Sequence, residues 1–314
     1  MFGKNTSIFC LQYAKIKAES CTGGKAMTRQ ERYASIYSHD VVYCPPQEEG
    51  CAMLEVALGC SWAQCRFCDF AKDRFHVHSM EKIEENLKVL GELRADRDRV
   101  FFLGENALCL STEKLLAIME MTKRYMPKVT SFAMYARFDD VLRKSDEELA
   151  QLRAAGLEDL HMGFESGSDF ILTMMNKGVL SHDILAAARK MERADIGYFV
   201  TVILGLGGRT YRNIHAVETA RVLSLMKPKG IWCLNLKVWE NTQLEEMVKR
   251  GEFDPMTPWE MLQEEWIMLN NLNVTNCFYM DTTALNKYTI QGILPQVKPA
   301  MLEGIRQLLE REHP

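Results

Sequence analysis

Three cysteines lie close together in a segment that reads Gly-Cys-Ser-Trp-Ala-Gln-Cys-Arg-Phe-Cys. Cys60, Cys65 and Cys68 are separated by four and then by two residues. Thiolates are the soft ligands that iron–sulfur clusters prefer, and three of them in one loop can each bind a different iron of a cubane. The fourth iron would then stay open to an exogenous ligand. The spacing therefore predicts a [4Fe–4S] cluster on these three thiols.

A structural zinc site is the main alternative for the same loop. Zinc normally takes four protein ligands, commonly drawn from two separated Cys-x-x-Cys pairs. Here the second pair is absent, although His76 or His78 offers a fourth donor. A chance group of buried free thiols is the remaining alternative.

The other cysteines are scattered along the chain. Without an export signal, cysteines in a long chain more commonly ligate metals or pack in the core than form disulfides. Nothing in their spacing indicates a second cluster, so we predict a single one. Most are expected to be small core or surface residues, and Cys44 and Cys51, which flank the loop, could take part in the site. The full set is Cys10, Cys21, Cys44, Cys51, Cys109, Cys233 and Cys277.

The elements that position the cysteine loop are predicted from hydrophobic periodicity. Short apolar runs alternate with amphipathic stretches from Met53 onward, as in repeated βα units around a parallel sheet. Six such units are too many for a minimal nucleotide-binding fold and two short of a complete (β/α)8 barrel. We therefore predict an α/β fold, a partial TIM-like (β/α)6 barrel. The six predicted strands are 53–58, 100–103, 130–135, 157–164, 198–204 and 231–238.

The pattern divides the chain into three parts. Residues 1–45 show no clear period and are predicted to be an N-terminal extension. Residues 46–240 form the predicted core, in which Ser145 and Glu148 make a capping box at the start of a helix. Residues 241–314 lack further strand-helix repeats and are predicted to be a C-terminal helical cap. In that cap Trp259, Met261, Leu262, Trp266 and Leu269 lie at helical spacing.

Composition excludes several other classes of protein. The 314-residue chain has a net charge of −4 and a pI near 6.0, which is not the basic surface that a nucleic-acid binder uses. The sequence contains no apolar run long enough to span a membrane and no secretory signal segment. We expect a cytoplasmic protein that binds neither membranes nor, in bulk, nucleic acids.

The cysteine loop and the strand-helix repeats resemble those of the radical S-adenosylmethionine (SAM) superfamily. The common signature there is Cys-x3-Cys-x2-Cys with an aromatic residue before the last cysteine, the place that Phe67 occupies. The loop of this chain is one residue longer, and its Gly-Cys-Ser-Trp opening is similar to a branch near the oxygen-independent coproporphyrinogen oxidase-like and Elongator-like proteins. A second match is the segment 161–169, which ends its strand in Phe-Glu-Ser-Gly, followed by Met-Asn-Lys-Gly at 175–178.

The resemblance implies an enzyme whose [4Fe–4S] cluster cleaves SAM reductively to methionine and a 5′-deoxyadenosyl radical. The radical would abstract hydrogen from an organic substrate, which we expect to be small or medium-sized, after flavodoxin or ferredoxin has supplied an electron. A glycyl-radical-activating enzyme, which would dock on a protein partner, is one alternative. A non-catalytic iron–sulfur or zinc binding protein is the other.

The resemblance also implies which residues contact SAM. Glu165 would accept hydrogen bonds from the ribose hydroxyls, with Ser166 beside it, although both residues could simply cap the next turn. Arg137 would pair with the SAM carboxylate, the alternative being a salt bridge with Asp139 or Asp140.

Two glycine-containing turns complete the implied SAM site. Gly104, Glu105 and Asn106 occupy the place of an element that binds the SAM amino group, and an exposed turn is the alternative. Gly205 would lie against the adenine or its ribose, where the missing side chain permits close approach. Ordinary βα-turn geometry explains Gly205 equally well.

Overall fold

The computed structural model describes residues 27–39, 42–69, 73–282 and 285–312. The predictions for residues 1–26, including Cys10 and Cys21, lie outside the described residues. The described chain is built around one eight-stranded sheet with helices packed against it, and a separate two-stranded ribbon lies beside the cysteine loop. In the described part of the chain, no helix is both long and apolar enough to cross a bilayer.

The large sheet has the strand order β1-β4-β5-β6-β7-β8-β9-β10. Its first seven strands are parallel, whereas β10 runs antiparallel to β9. The order is open, because β1 and β10 are edge strands, and this agrees with the predicted partial barrel. The strands are β1 Ala52–Glu55, β2 Ala57–Leu58, β3 His76–Val77, β4 Arg99–Leu103, β5 Ser131–Ala136, β6 Leu157–Glu165, β7 Gly197–Leu204, β8 Gly230–Asn235, β9 Cys277–Met280 and β10 Gln291–Leu294.

The helices begin where the sequence carries capping residues. The Ser79 side chain accepts the backbone N–H of Lys82 at the start of α2, and Ser145 and Glu148 form the predicted capping box of α5. The helices are α1 Arg29–Ala34, α2 Met80–Leu93, α3 Thr112–Tyr125, α4 Phe138–Arg143, α5 Asp146–Ala154, α6 Asp169–Met174, α7 Ser181–Arg193, α8 Gly208–Leu223, α9 Gln243–Lys249, α10 Pro258–Asn271 and α11 Lys298–Glu312.

The segment after residue 241 contains more than the helices that its pattern predicts. The predicted apolar spacing around Trp259 forms α10, which packs on α8 and α11. The segment also adds β9 and β10 to the main sheet, two strands that the sequence analysis does not anticipate. Each has only four residues, too few for a clear two-residue alternation.

The described part of the N-terminal segment packs on the core. The Tyr37 hydroxyl donates to the Met53 carbonyl at 3.0 Å. Further along, Glu48 accepts two hydrogen bonds of 2.7 Å from Arg99 and lies 2.9 Å from His161 Nε2. Burial opposes ionisation of Glu48, but Arg99 and His161 outweigh it and lower its pKa to about 2. This buried ionic group lies at the amino-terminal edge of the parallel strands, at the opposite edge from the cysteine loop.

Candidate functional site

The predicted site residues meet at the carboxyl-terminal edge of the parallel strands. The cysteine loop follows β1 and β2, Asn106 follows β4, and Arg137 follows β5. Glu165 ends β6 and Gly205 follows β7. Parallel strands bring their carboxyl ends to one edge, which is where α/β barrels bind their ligands. The fold therefore brings together residues that are up to 145 positions apart in the chain.

The cysteine loop is anchored by an apolar cluster beneath it. Phe67 is buried against Ile171, Met175, Leu206 and other side chains, and Cys65 and Cys68 are partly buried beside the same cluster. The three thiols of the loop are half-buried and take part in no disulfide. The aromatic residue before the last cysteine thus holds the loop on the protein and leaves the thiols at its surface.

Residues 175–178, which we call the strap, bind the cysteine loop along its length. The Met175 carbonyl accepts the N–H of Arg66 at 3.0 Å. The Asn176 carbonyl accepts the indole N–H of Trp62 at 2.9 Å, and the Asn176 amide donates to the Gln64 carbonyl at 3.0 Å. These bonds fix the loop between its first and last cysteines, so its conformation is set by the strap as well as by any bound group.

Packing reinforces these hydrogen bonds. Gly178 has a φ of +79°, and a Cβ placed there would lie 2.6 Å from the ring of Trp62. Arg137 also lies over the Trp62 ring, with its guanidinium carbon 5.2 Å from the ring centroid. Its Nη2 donates to the Lys177 carbonyl at 2.8 Å and its Nε to Asp139 at 2.8 Å. The salt bridge that was the alternative for Arg137 is therefore present, although Arg137 is buried rather than on the surface; its contact with SAM stays a prediction.

Glu165 and Lys177 form a buried ion pair beside the cysteine loop. Glu165 Oε1 lies 2.9 Å from Lys177 Nζ, and both side chains are less than a tenth exposed. Gly163 makes room for the pair, since a Cβ there would lie 2.1 Å from Glu165 Oε1. Burial opposes the charge of Lys177, but Glu165 and Cys65 outweigh it and raise its pKa. Lys177 is thus a cation held next to a thiol.

The second carboxylate oxygen of Glu165 is the most informative atom of the site. Oε2 is buried and has no hydrogen-bond partner among the described residues. An unpaired carboxylate oxygen in a buried place is costly, so such atoms are normally satisfied by protein, water or a ligand. The capping alternative does not describe Glu165, which pairs with Lys177 instead. Ser166 accepts the N–H of Ser168 at 3.1 Å and is fully buried.

The turn after β4 supports the start of the cysteine loop. Asn106 Oδ1 accepts the Ser61 N–H at 3.0 Å, and its amide donates to Ser61 Oγ and to buried Asp140. Gly104 has a φ of +125°. Glu105 Oε2 is buried without a hydrogen-bond partner in the described chain, and burial raises the pKa of this carboxyl. The turn is therefore not merely exposed, and Glu105 has an unused acceptor.

The turn after β7 is tied to the end of β6 through two buried side chains. The N–H of Gly205 donates to Glu264 Oε2. Glu264 Oε1 lies 3.0 Å from His215 Nδ1, and His215 Nε2 lies 3.3 Å from the carbonyl oxygen of Glu165. Met261 covers Gly205 closely, with three atoms between 3.2 and 3.3 Å from a Cβ built there.

The donor set fits an iron–sulfur cluster better than a single metal ion. Across the described ranges, no three His, Cys, Asp or Glu side chains converge enough to hold one ion. A cubane does not need such convergence, because each thiolate binds a different iron. His78, one proposed fourth zinc ligand, lies 2.9 Å from Glu55 in a buried pair. Burial, together with Glu165 and Cys60, raises the pKa of the Cys65 thiol, and the positive charges of Lys177 and Arg137 oppose this shift without outweighing it.

Sequence reasoning missed several residues that build the site. Lys177 lies in the Met-Asn-Lys-Gly segment, which the sequence analysis treats only as a motif. Nothing in the sequence predicts that this lysine is buried. Glu264 lies on α10 in the predicted cap, far from the site in sequence. Cys109 lies next to Ser61 and Cys60, whereas Cys51 precedes β1 at the other edge of the sheet. The sequence does carry a signal for the close packing around Lys177, because Gly163 and Gly178 lie where a side chain does not fit.

The comparisons with known proteins agree with this arrangement. The sequence profile of the Radical SAM superfamily matches residues 54–220, more than half of the chain. The chain is 24% identical over 212 residues to an uncharacterized protein of Methanocaldococcus jannaschii, covering 64% of this chain and 65% of that one. It is 27% identical over 173 residues to the heme chaperone HemW of Bacillus subtilis, covering 50% and 43%.

A solved structure shares the fold. The coproporphyrinogen III oxidase HemN from Escherichia coli superposes with a TM-score of 0.53 at 14% identity, over 78% of this chain and 56% of that one. At this identity the likeness to HemN concerns the fold alone. The chain spans less than two thirds of the length of the two curated relatives above.

Proposed function

The chain belongs to the radical SAM superfamily, and from that premise we propose that it is an enzyme that cleaves SAM reductively and abstracts hydrogen from an organic substrate. Superfamily members use a [4Fe–4S] cluster and SAM. Cys60, Cys65 and Cys68 would hold the cluster. When bound, the cluster supplies the electron that divides SAM into methionine and a 5′-deoxyadenosyl radical.

The observation that carries the proposal is the unpaired carboxylate oxygen Glu165 Oε2. Lys177 occupies one carboxylate oxygen and leaves the other buried, beside the cysteine loop and without a partner in the described chain. Two ribose hydroxyls would satisfy it as donors. Glu105 Oε2, in the turn after β4, is a second buried acceptor and is suited to an ammonium group. The two acceptors would serve the ribose hydroxyls and the ammonium group of SAM.

The other predicted contacts have defined tasks. Arg137 already donates to Asp139 and to the Lys177 carbonyl, and its remaining guanidinium N–H groups would meet the SAM carboxylate. Met261 already fills the space beside the Cα of Gly205, so this turn would contact the nucleoside through its backbone. The strand edge must also exclude water and align one substrate hydrogen near C5′. Flavodoxin or ferredoxin would supply the electron.

A small or medium-sized substrate suits this chain better than nucleic acid. The net charge of −4 gives no general attraction for a polyanion. Stable binding of tRNA in a gel-shift assay at physiological salt would overturn this part of the proposal.

Detection of 5′-deoxyadenosine tests the activity. The protein is reconstituted anaerobically with iron and sulfide, reduced with dithionite and given SAM, and the product is measured by liquid chromatography. We expect 5′-deoxyadenosine from the wild type and none from Cys65→Ala. Cys277→Ala is the matched control, because Cys277 is buried in β9 and outside the loop. A wild type that binds iron and sulfide but forms no product would favour the non-catalytic alternative.

A further inference from the structure

We propose that His215 and Glu264 are a positioning pair that fixes the backbone of two neighbouring strand ends for SAM binding, an inference that rests on the proposed function. His215 lies on α8 and Glu264 on α10, so two helices outside the sheet reach the site through one contact. Neither residue belongs to a motif that the superfamily resemblance implies. Their contacts are with main-chain atoms of Glu165 and Gly205.

The pair is buried and its contacts form a continuous chain. His215 is 1% exposed and Glu264 is not exposed at all. The chain runs from the Glu165 carbonyl oxygen to His215 Nε2 at 3.3 Å, then from His215 Nδ1 to Glu264 Oε1 at 3.0 Å. Glu264 Oε2 then accepts the N–H of Gly205. Both oxygens of the carboxylate are therefore used.

Both ring nitrogens of His215 face oxygen acceptors, one a carboxylate and one a carbonyl. Only the protonated imidazole can donate through both nitrogens at once. Burial disfavours that charge, but the neighbouring Glu264 carboxylate outweighs it and the pKa of His215 is raised. The pair is therefore an internal ion pair whose hydrogen bonds are of the stronger, charge-assisted kind.

The backbone that this pair holds is in an unfavourable conformation. Glu165 has a φ of +61°, in the left-handed region that costs a non-glycine residue energy. A bond to its carbonyl oxygen helps to keep that conformation, which directs the carboxylate toward Lys177 and the cysteine loop. Without the bond, Glu165 can relax toward ordinary backbone geometry and turn its carboxylate away. The Gly205 turn would lose its restraint at the same time.

Replacing His215 or Glu264 should weaken SAM binding and leave cluster loading unchanged. The hydrogen bonds that hold the cysteine loop come from Met175 and Asn176 of the strap, and the Phe67 cluster packs beneath it. The hydrogen bonds of His215 go instead to Glu165 and Glu264. His215→Phe should therefore weaken SAM binding about tenfold, as expected from losing a charged hydrogen-bond partner, while iron content stays at the wild-type level. Glu264→Gln keeps one acceptor and should give an intermediate loss.

Glu265→Gln is the matched control. Glu265 is the next residue on the same helix, is 2% exposed, and accepts the Tyr279 hydroxyl at 2.7 Å on β9. It is equally buried but reaches neither Glu165 nor Gly205. We expect it to change the SAM dissociation constant by less than about twofold, even where it lowers the melting temperature.

The experiment measures SAM binding by equilibrium dialysis on cluster-loaded protein, together with iron content and melting temperature. Unchanged affinity in both His215→Phe and Glu264→Gln overturns the assignment, and so does an equal loss in Glu265→Gln. If His215→Phe does not fold, the comparison of Glu264→Gln with Glu265→Gln decides. If the cluster-loaded wild type binds no SAM, the proposed function is refuted and the assignment of the pair with it. If the wild type binds SAM normally and the variants bind it equally well, only the assignment is refuted.

Discussion

Replacing Lys177 with methionine tests how much the buried ion pair stabilises the site. Glu165 and Lys177 are 9% and 8% exposed and their charged atoms are 2.9 Å apart. Removing one partner of a buried pair leaves the other charge uncompensated, which costs about 3–5 kcal/mol. That is a large part of the roughly 5–15 kcal/mol by which domains are stable. We therefore expect a loss of about 3–5 kcal/mol in the free energy of unfolding.

Urea unfolding of the reduced, cluster-free protein measures this loss. The double variant Glu165→Leu/Lys177→Met removes both charges and should be markedly more stable than Lys177→Met alone, because no unpaired charge remains. The control is Arg193→Met, which breaks a pair with Asp146 whose two side chains are 57% and 56% exposed. An exposed pair contributes little because solvent screens it, so this control should leave the free energy of unfolding nearly unchanged. A Lys177→Met variant that also loses less than about 1 kcal/mol would refute the reasoning.

Three further predictions concern the loop and the core. In urea unfolding of the apo protein, Gly178→Ala should cost about 1–3 kcal/mol more than Gly251→Ala. Both glycines have a positive φ, but only a side chain at position 178 would collide with the Trp62 ring. Equal losses would contradict the packing argument. The pKa of Glu48 is lowered from 4.5 to about 2, so the ionised Glu48 stabilises the fold above pH 4.5 and this stabilisation is lost as pH falls toward 2. Glu48→Gln should remove that component from an acid titration followed by circular dichroism. An unchanged acid transition would show that the carboxylate does not contribute. Phe67→Ala should cost about 3–5 kcal/mol and lower the iron bound after reconstitution, whereas a fully loaded, equally stable variant would show that Phe67 does not anchor the loop.

The fold was largely predictable because its signal is local. Five of the six predicted strands occur in the large sheet within a few residues of their predicted bounds, and the cap at Ser145 is present. The predicted strand 53–58 is divided into β1 of the large sheet and β2 of the ribbon. Periodicity and capping residues act over a few positions, so they can be seen in the sequence. The strands β9 and β10 were missed because four residues carry too little pattern, and their pairing depends on contacts that are distant in sequence.

The candidate site was predictable only in part. Cys60, Cys65 and Cys68 share one loop, so their spacing alone indicates their chemistry. Lys177 and Glu264, by contrast, gain their meaning from burial and from partners on other elements, which periodicity does not encode.

The state of the metal centre tests the central claim most directly. The reconstituted protein is reduced with dithionite and its electron paramagnetic resonance spectrum is recorded with and without SAM. We predict the signal of one reduced [4Fe–4S] cluster per chain, with a spectrum that changes when SAM is added, because SAM would bind the iron that the three cysteines leave open. Tightly bound zinc in place of iron, or a cluster signal that SAM leaves unchanged at saturating concentration, would contradict the account.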